Sequence, residues 1–279
     1  QRREAYALYN ALIGLGALVG SLLAGALPKW LAACLRLPGD GTGAYAAGVA
    51  VSSLLTVASL LPLLPISRDK AAEPFMRQKA VHVPARALLP LMLIGFMTQA
   101  GMAAFVQFGT AYLDRGLNMP TEMIGTVASL GQVGAMLAAL AAPRLSRRMR
   151  PGRDVLLASW FDVLSLVPAI LVAQWAPAIA TYVLSLAINS LWAAAHSGWM
   201  MDAVEEDHRA ATSGLCNMAK GAGTALASLG GGFVIATVGY RALFGLGAVT
   251  IVMGALALTV LLGSPPRSMP PLDGNASKT

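Results

Sequence analysis

The chain is poor in charged, aromatic and cysteine residues. Only 12% of its 279 residues are charged and 6% are aromatic, whereas 56% are hydrophobic. Soluble domains average about 25% charged residues, so this composition excludes an ordinary soluble globule. Two cysteines, Cys34 and Cys216, are too few for a disulfide framework or a zinc site. The composition therefore predicts an all-α membrane protein that has lipid as its surroundings.

Apolar runs long enough to cross a bilayer recur along the chain. A spanning helix needs about 20 residues, and eight segments reach this length if the longest run is divided near Pro177. Proline fits the first turn of a helix and breaks its interior, which favours that division. The eight predicted spans are 5–27, 43–64, 87–113, 123–142, two within 155–201, 210–238 and 243–262.

Basic residues are distributed unevenly between the two sets of segments that connect these spans. Fifteen of the 20 Lys and Arg residues lie in the set that includes both termini, four lie in the other set, and Lys220 lies inside a span. Cytoplasmic segments of membrane proteins carry such an excess. We therefore predict a multi-pass protein of the plasma or inner membrane with both termini in the cytoplasm. The net charge of +7 is explained by topology, and we expect no nucleic-acid partner.

The start of the chain matches a later part of itself at a shift of 207 residues. Eight of 24 aligned positions are identical, including the pairs Arg2 with Arg209 and Asn10 with Asn217. Both copies run in the same direction, which is typical of two bundles related by an axis along the membrane normal. We therefore expect about four further helices upstream of Gln1. The predicted parts are the last two helices of an N-terminal bundle (1–65), a cytoplasmic interdomain linker (66–86), a six-helix C-terminal bundle (87–264) and a cytoplasmic tail (265–279).

Three motifs in chain order resemble the major facilitator superfamily of transporters. Residues 16–25 resemble its fifth-helix antiporter motif, 143–153 the second-half copy of its basic loop, and 205–232 the entry to its eleventh helix. The chain is similar to helices five to twelve of that twelve-helix fold, which has parallel pseudo-twofold halves. The resemblance implies secondary transport of a small solute by alternating access. It also implies helix-packing or gating roles for Gly16, Gly20, Gly25, Arg147, Arg148 and Arg209.

Polar side chains inside the predicted spans are the candidate substrate contacts. Lys220 lies about 16 Å along its helix beyond Arg209, near the midplane. Because intramembrane charge is costly, we predict that it binds an anionic group or pairs with a titrating acid; the alternative is a local structural contact. His196 either carries a proton or is a structural histidine. The full predicted cavity set is Lys220, Asn217, Thr224, Asn189, Trp192, His196, Gln99, Gln107 and Gln132.

Asp162 is an acidic residue about 12 Å into its span. It is either a proton carrier or, in the interpretation we favour, a contact to a loop arginine. Since no P-loop, dinucleotide fingerprint, hydrolase elbow or metal-ligand spacing is present in the sequence, we predict no cofactor, no metal and no enzymatic activity.

The predicted function is secondary active transport, driven most simply by protons, with proton-coupled efflux as the mode that the antiporter motif suggests. We expect the protein to be monomeric. One alternative is a membrane-embedded enzyme that uses His196 and Asp162 as its acid–base pair. A second alternative is an inactive transporter fragment.

The charge asymmetry generates a labelling prediction. In a background carrying Cys34→Ser and Cys216→Ser, single cysteines placed in 66–86 or in 144–153 should react with an impermeant maleimide only from the cytoplasmic side. Intact cells and inverted vesicles give the two accessibilities. Reaction of both loops from the outside of intact cells contradicts the orientation.

Overall fold

The protein is nearly all helical in a computed structural model. The structure describes residues 2–35, 42–59, 61, 85–146, 148–150, 152–202, 204 and 208–263. Its helices are α1 (Arg2–Leu35), α2 (Thr42–Ala58), α3 (Ala85–Ala111), α4 (Thr121–Ser146), α5 (Arg153–Leu171), α6 (Trp175–Asp202), α7 (Arg209–Thr237) and α8 (Tyr240–Gly263). A π-helical turn, Tyr112–Gly116, continues α3.

The helices follow the predicted spans with shifts at their ends. The predicted division of the longest run is confirmed, because α5 ends at Leu171 and Pro177 lies in the first turn of α6. Helix α1 continues past its predicted end to Leu35. The predicted linker and tail lie outside the described residues, except that Ala85 and Arg86 already belong to α3.

Helices of the described ranges differ in their suitability for crossing a membrane. Five are long and apolar enough by length and composition, namely α3 with its π turn, α4, α5, α6 and α8. Helix α7 has a lower mean hydropathy than these five helices, because glycines and polar residues interrupt its apolar residues. Helices α1 and α2 contribute shorter apolar segments, Leu15–Ala24 and Ala46–Ala58.

Helix α3 occupies the centre of the arrangement. It packs against α7 and α8, while α4 packs against α6, and α5 packs against both α6 and α8. Helix α1 lies along α4, and α2 packs on α1. The shared core contains Phe105 and Phe244, whose ring centroids are 4.6 Å apart in an edge-on contact. The core therefore joins the helices from α3 onward.

Helices α3 and α8 touch through their backbones. A Cβ atom added at Gly101 would lie 2.5 Å from the Gly247 carbonyl oxygen and 3.0 Å from the Ile251 nitrogen. Small residues permit such an approach, which membrane helices use because lipid supplies little hydrophobic drive between them. The helix crossing thus depends on glycine at both 101 and 247.

Glycines of α7 and α1 differ in how closely other helices approach them. Gly223 and Gly231 of α7 lie against α3, where an added Cβ would be 2.5 Å from the Phe96 carbonyl oxygen and 2.5 Å from the Phe108 ring, respectively. Positions Gly16 and Gly20 of α1 have no described atom within 4 Å of an added Cβ, so their packing role stays a prediction. The side-chain position of residue 25, which completes the motif on α1, lies outside the described residues.

Helices α7 and α8 are joined by a very short connection. Helix α7 ends at Thr237, and the Gly239 N–H donates to the Val234 carbonyl at 3.0 Å. Gly239 has a φ of 107°, a left-handed conformation that glycine adopts without strain. This turn brings α8 back directly beside α3.

The α3–α8 contact yields a stability prediction with an internal control. Gly101→Ala should destabilise the protein by about 1–3 kcal/mol, because the added methyl group meets backbone atoms that cannot rotate away. Gly245→Ala, on the neighbouring turn of α8, places its methyl group in open space and should be neutral or slightly stabilising. Thermal unfolding in detergent measures both variants. Equal melting temperatures for the two variants contradict the tight crossing.

Candidate functional site

Lys220 and His196 approach each other across Gly95. The position of a Cβ atom at Gly95 lies 3.4 Å from His196 Nε2 and 3.4 Å from Lys220 Cγ. The three residues belong to α6, α7 and α3, so the contact is made by three helices. Gly223, one turn along α7 from Lys220, lets the α7 backbone reach α3 and fixes this register. Glycine at 95 leaves space between the two basic side chains.

His196 is completely buried in an aromatic setting. Its ring stacks on Trp192 at a centroid distance of 4.7 Å and meets the edge of Trp199 at 6.1 Å. Within the described part of the chain, neither imidazole nitrogen has a hydrogen-bond partner, and the Trp192 indole N–H has none either. The Leu91 main chain interacts with the imidazole, but the geometry between them is not that of a hydrogen bond. An unsatisfied buried polar group costs about 1–3 kcal/mol, so these nitrogens favour a ligand or a water molecule that can hydrogen-bond to them.

Lys220 is half-buried, and the surrounding helices carry no acidic residue within their spans, since Asp202 lies at the very end of α6. Neither 85–111, 175–201 nor 209–237 contains an Asp or Glu. The groups that interact electrostatically with the lysine include the His196 imidazole and the Cys216 thiol, one turn away on α7. An ammonium group at this depth is stabilised by water, a carboxylate or an anion beside it.

The remaining predicted cavity residues lie on α3, α4, α6 and α7, and none is as completely buried as Trp192 or His196. Gln107 and Asn217 are exposed, whereas Gln99, Gln132, Asn189 and Thr224 are half-buried. The Thr224 hydroxyl donates to the Lys220 carbonyl within α7 at 3.2 Å. Of the predicted set, the structure brings Trp192, His196 and Lys220 together. Gly95, which permits their approach, was not predicted, since a single glycine in an apolar helix carries no distinguishing signal.

The face of α7 beside Lys220 is open. Asn217 is exposed, Met218 is 70% exposed, and Gly221 has no neighbour within 4 Å of an added Cβ position. Asn217 is therefore accessible on this face, whereas Lys220 and Thr224 are half-buried.

An open cavity lies at the other end of α3 from Gly95. Its volume is about 1040 Å³, and it is bounded by α3, its π turn, α4, α7 and the start of α8. Lining residues include Phe108, Asp114, Arg115, Thr121, Gly232 and Tyr240. The sequence pattern pointed to none of these. The sequence feature that could have indicated this cavity is the charged pair Asp114 and Arg115, directly after an apolar span.

Of the arginines with predicted gating roles, Arg209 lies where the end of α6 meets the start of α7. The Arg209 Nε donates to the Met201 carbonyl at 3.1 Å, which joins the start of α7 to the end of α6. Arg148 is exposed in the turn before α5, and Arg147 lies outside the described residues. These positions leave their gating roles a prediction.

Asp162 contacts hydroxyl groups rather than a loop arginine. The carboxyl group is buried between α5 and α6, with Ser165 Oγ 3.4 Å from Oδ1 and a hydrogen bond to Ser185. The expected arginine contact is therefore wrong for the described chain, because the side chain faces α6. Ser185 lies eleven residues before His196, or about 16 Å along α6, so the proposed acid–base pair of an enzyme is not assembled.

Comparison with protein families identifies the class of the protein. The model of the Major Facilitator Superfamily matches residues 91–278, about two thirds of the chain. The chain therefore belongs to the major facilitator superfamily. Its all-α membrane fold is a partial major-facilitator fold, as predicted, and the protein is a multi-pass membrane transporter. A search among curated proteins finds no match.

Proposed function

We propose that the protein is a secondary active transporter that moves a small anionic solute by alternating access. The observation that carries this proposal is the meeting of Lys220 with His196 across Gly95 on three different helices. Lys220 is the contact for the anionic group, and His196 is the proton-binding group. The predicted neighbours on these helices, Asn189, Gln99 and Thr224, line the same side as hydrogen-bonding groups.

The charge balance around Lys220 supports an anionic substrate. A lysine at the centre of a membrane helix costs about 2.5–3.5 kcal/mol on insertion scales. No acidic residue of α3, α6 or α7 offsets that cost within the spans. A carboxylate, phosphate or sulfonate group of the solute supplies the missing charge each time it binds.

The same arrangement supports coupling to protons. Lys220 repels an imidazolium at His196, so the histidine accepts a proton most readily when an anion already lies beside the lysine. Proton and anion then bind together, which is the requirement for symport. Aromatic contacts from Trp192 and Trp199 exclude bulk water from the ring.

Proton-coupled efflux is the second candidate. The glycine run of α1, which resembles the antiporter motif, favours it. Antiport requires proton and solute to exclude each other at the site, whereas symport requires mutual enhancement. The pH dependence of solute binding therefore separates the two modes: affinity rises on acidification for symport and falls for antiport.

The contact between α1 and α4 supports alternating access. Lys29 Nζ lies 2.7 Å from Glu122 Oε1, and both side chains are more than half exposed. Exposed ion pairs contribute only about 0–1 kcal/mol, so such a contact breaks and re-forms at little cost. Since α1 is assigned by the repeat to the N-terminal bundle, the pair joins the two predicted halves.

The role of Lys220 is tested by removing its charge. Lys220→Met preserves length and the apolar stem, so it should leave expression unchanged while reducing anion affinity about tenfold or more. Lys220→Arg should retain partial affinity, because the charge remains but the fork has a different geometry. Binding of monocarboxylates, dicarboxylates, phosphates and sulfonates is measured by quenching of tryptophan fluorescence, since Trp192 and Trp199 flank the site.

The matched control is Lys278→Met, the same substitution in the predicted tail. It should leave both affinity and transport as in the parent protein. If Lys220→Met binds and transports every anion of the panel at the parental level, the lysine has no charged role.

The α1–α4 contact is tested by cross-linking. Cysteines replacing Lys29 and Glu122, in a background with Cys34→Ser and Cys216→Ser, should be joined by a short bis-maleimide. The link should stop transport, because the two halves can no longer separate at this end. Each single-cysteine variant treated with the same reagent is the control. Undiminished transport by the fully cross-linked protein contradicts rocking at this contact.

A further inference from the structure

We infer that Asp162 is a proton-binding site at the interface of α5 and α6, separate from the Lys220 cavity. The carboxyl group is 1% exposed, and the nearby hydroxyls of Ser165, Thr181 and Ser185 are also buried. The ligand is a single proton supplied by water. This site does not depend on the role proposed for Lys220.

A count of hydroxyl hydrogens favours the proton. Each hydroxyl carries one hydrogen. Ser165 donates its hydrogen to the Asp162 carbonyl at 2.8 Å, and Thr181 donates its own to the Ser165 carbonyl at 2.8 Å. Of the three hydroxyl hydrogens, only that of Ser185 then remains to fill the three side-chain contacts among Asp162, Ser165 and Ser185.

Those three contacts connect the carboxyl group to both serines. Ser165 Oγ lies 3.4 Å from Asp162 Oδ1 and 3.1 Å from Ser185 Oγ, and Ser185 also hydrogen-bonds to the carboxyl group. A proton on Asp162 adds a second hydrogen to this network. The carboxylic acid then donates to one serine and accepts from the other, which leaves one of the three contacts without a hydrogen, whereas an ionised carboxylate leaves two.

The neighbouring helices provide no cation for an ionised Asp162. Helix α5 packs against α6 and α8, and the groups acting on the carboxyl group are the Ser185 and Ser165 hydroxyls. The other titratable or charged residues of these three helices are Arg153, Asp154, Tyr182, His196, Asp202, Tyr240 and Arg241. The basic residues are at helix ends or, for His196, about 16 Å from Ser185 along α6.

Of these residues, Tyr182 is the closest in sequence to Ser185 of α6. Its ring contacts Phe105 and Gly109 of α3, so it faces away from α5. A buried carboxylate with no cationic partner is strongly disfavoured in a low-dielectric interior. The proton therefore stabilises the α5–α6 interface through both charge neutralisation and hydrogen bonding.

Infrared spectroscopy of the membrane-reconstituted chain tests the site directly. The parent protein should show the C=O stretching band of a protonated carboxyl group at neutral pH. Asp162→Asn should lose that band, whereas Asp202→Asn, which changes an exposed acid at the end of α6, should retain it. If Asp162→Asn fails to accumulate, Asp162→Glu provides the assignment, because it should shift the band rather than abolish it.

Thermal unfolding across pH gives a second readout. A proton held more tightly in the folded state than in the unfolded state stabilises the protein at low pH, and this stabilisation is lost as pH rises. Asp162→Asn should therefore reduce the fall in melting temperature toward alkaline pH, with Tyr182→Phe as the control for tyrosine ionisation. Absence of the protonated band in the parent protein, with or without added sodium, or its persistence in Asp162→Asn, overturns the proposal.

Discussion

Direct contact between the backbone of α3 and those of α7 and α8 is the constraint on which the rest of the bundle depends. Gly101 and Gly247 allow the α3–α8 crossing, and Gly223 allows α7 to reach the Phe96 carbonyl. In lipid, helices gain little from burying apolar surface against each other, so close van der Waals contact supplies much of the association energy. These glycines consequently determine which residues of α7 face α3, and Lys220 is brought to Gly95 as a result.

That register brings Lys220 close to a second basic side chain, His196, which is electrostatically unfavourable when both are protonated. The apolar helices around Lys220 bring aromatic rings and a buried imidazole, but no carboxylate within their spans. A permanent acidic partner on the same helices would have satisfied the lysine and stabilised a single resting state. In the transport mechanism proposed above, its absence from those spans leaves binding energy for a solute, and binding energy that differs between conformations is what shifts an alternating-access equilibrium.

Hydrophobic length and proline position were enough to predict most helices. The break before Pro177 and the starts of α4, α7 and α8 follow directly from the residues, because each is marked by a change in local chemistry. The candidate cluster was only partly predictable. Depth along a helix placed Lys220 and His196 in the membrane, but periodicity alone does not reveal which face of α6 meets which face of α7. The predicted arginine contact of Asp162 was wrong for the same reason. The rotation of α5 directs the side chain toward Ser185 of α6, and the residues of α5 alone do not reveal that partner.

The separation of Asp162 from Lys220 has a physical consequence for both groups. An aspartate beside the lysine would form an intramembrane ion pair, and breaking or desolvating such a pair is costly. The lysine would then no longer attract an external anion, and the acid would no longer need a proton. Placement of Asp162 on α5, against the Ser185 turn of α6, keeps it about 16 Å along that helix from His196. In the two proposals above, Asp162 therefore still needs a proton at the α5–α6 interface, and Lys220 still needs an anion at its own interface. Helix α6 contributes a side chain to both sites.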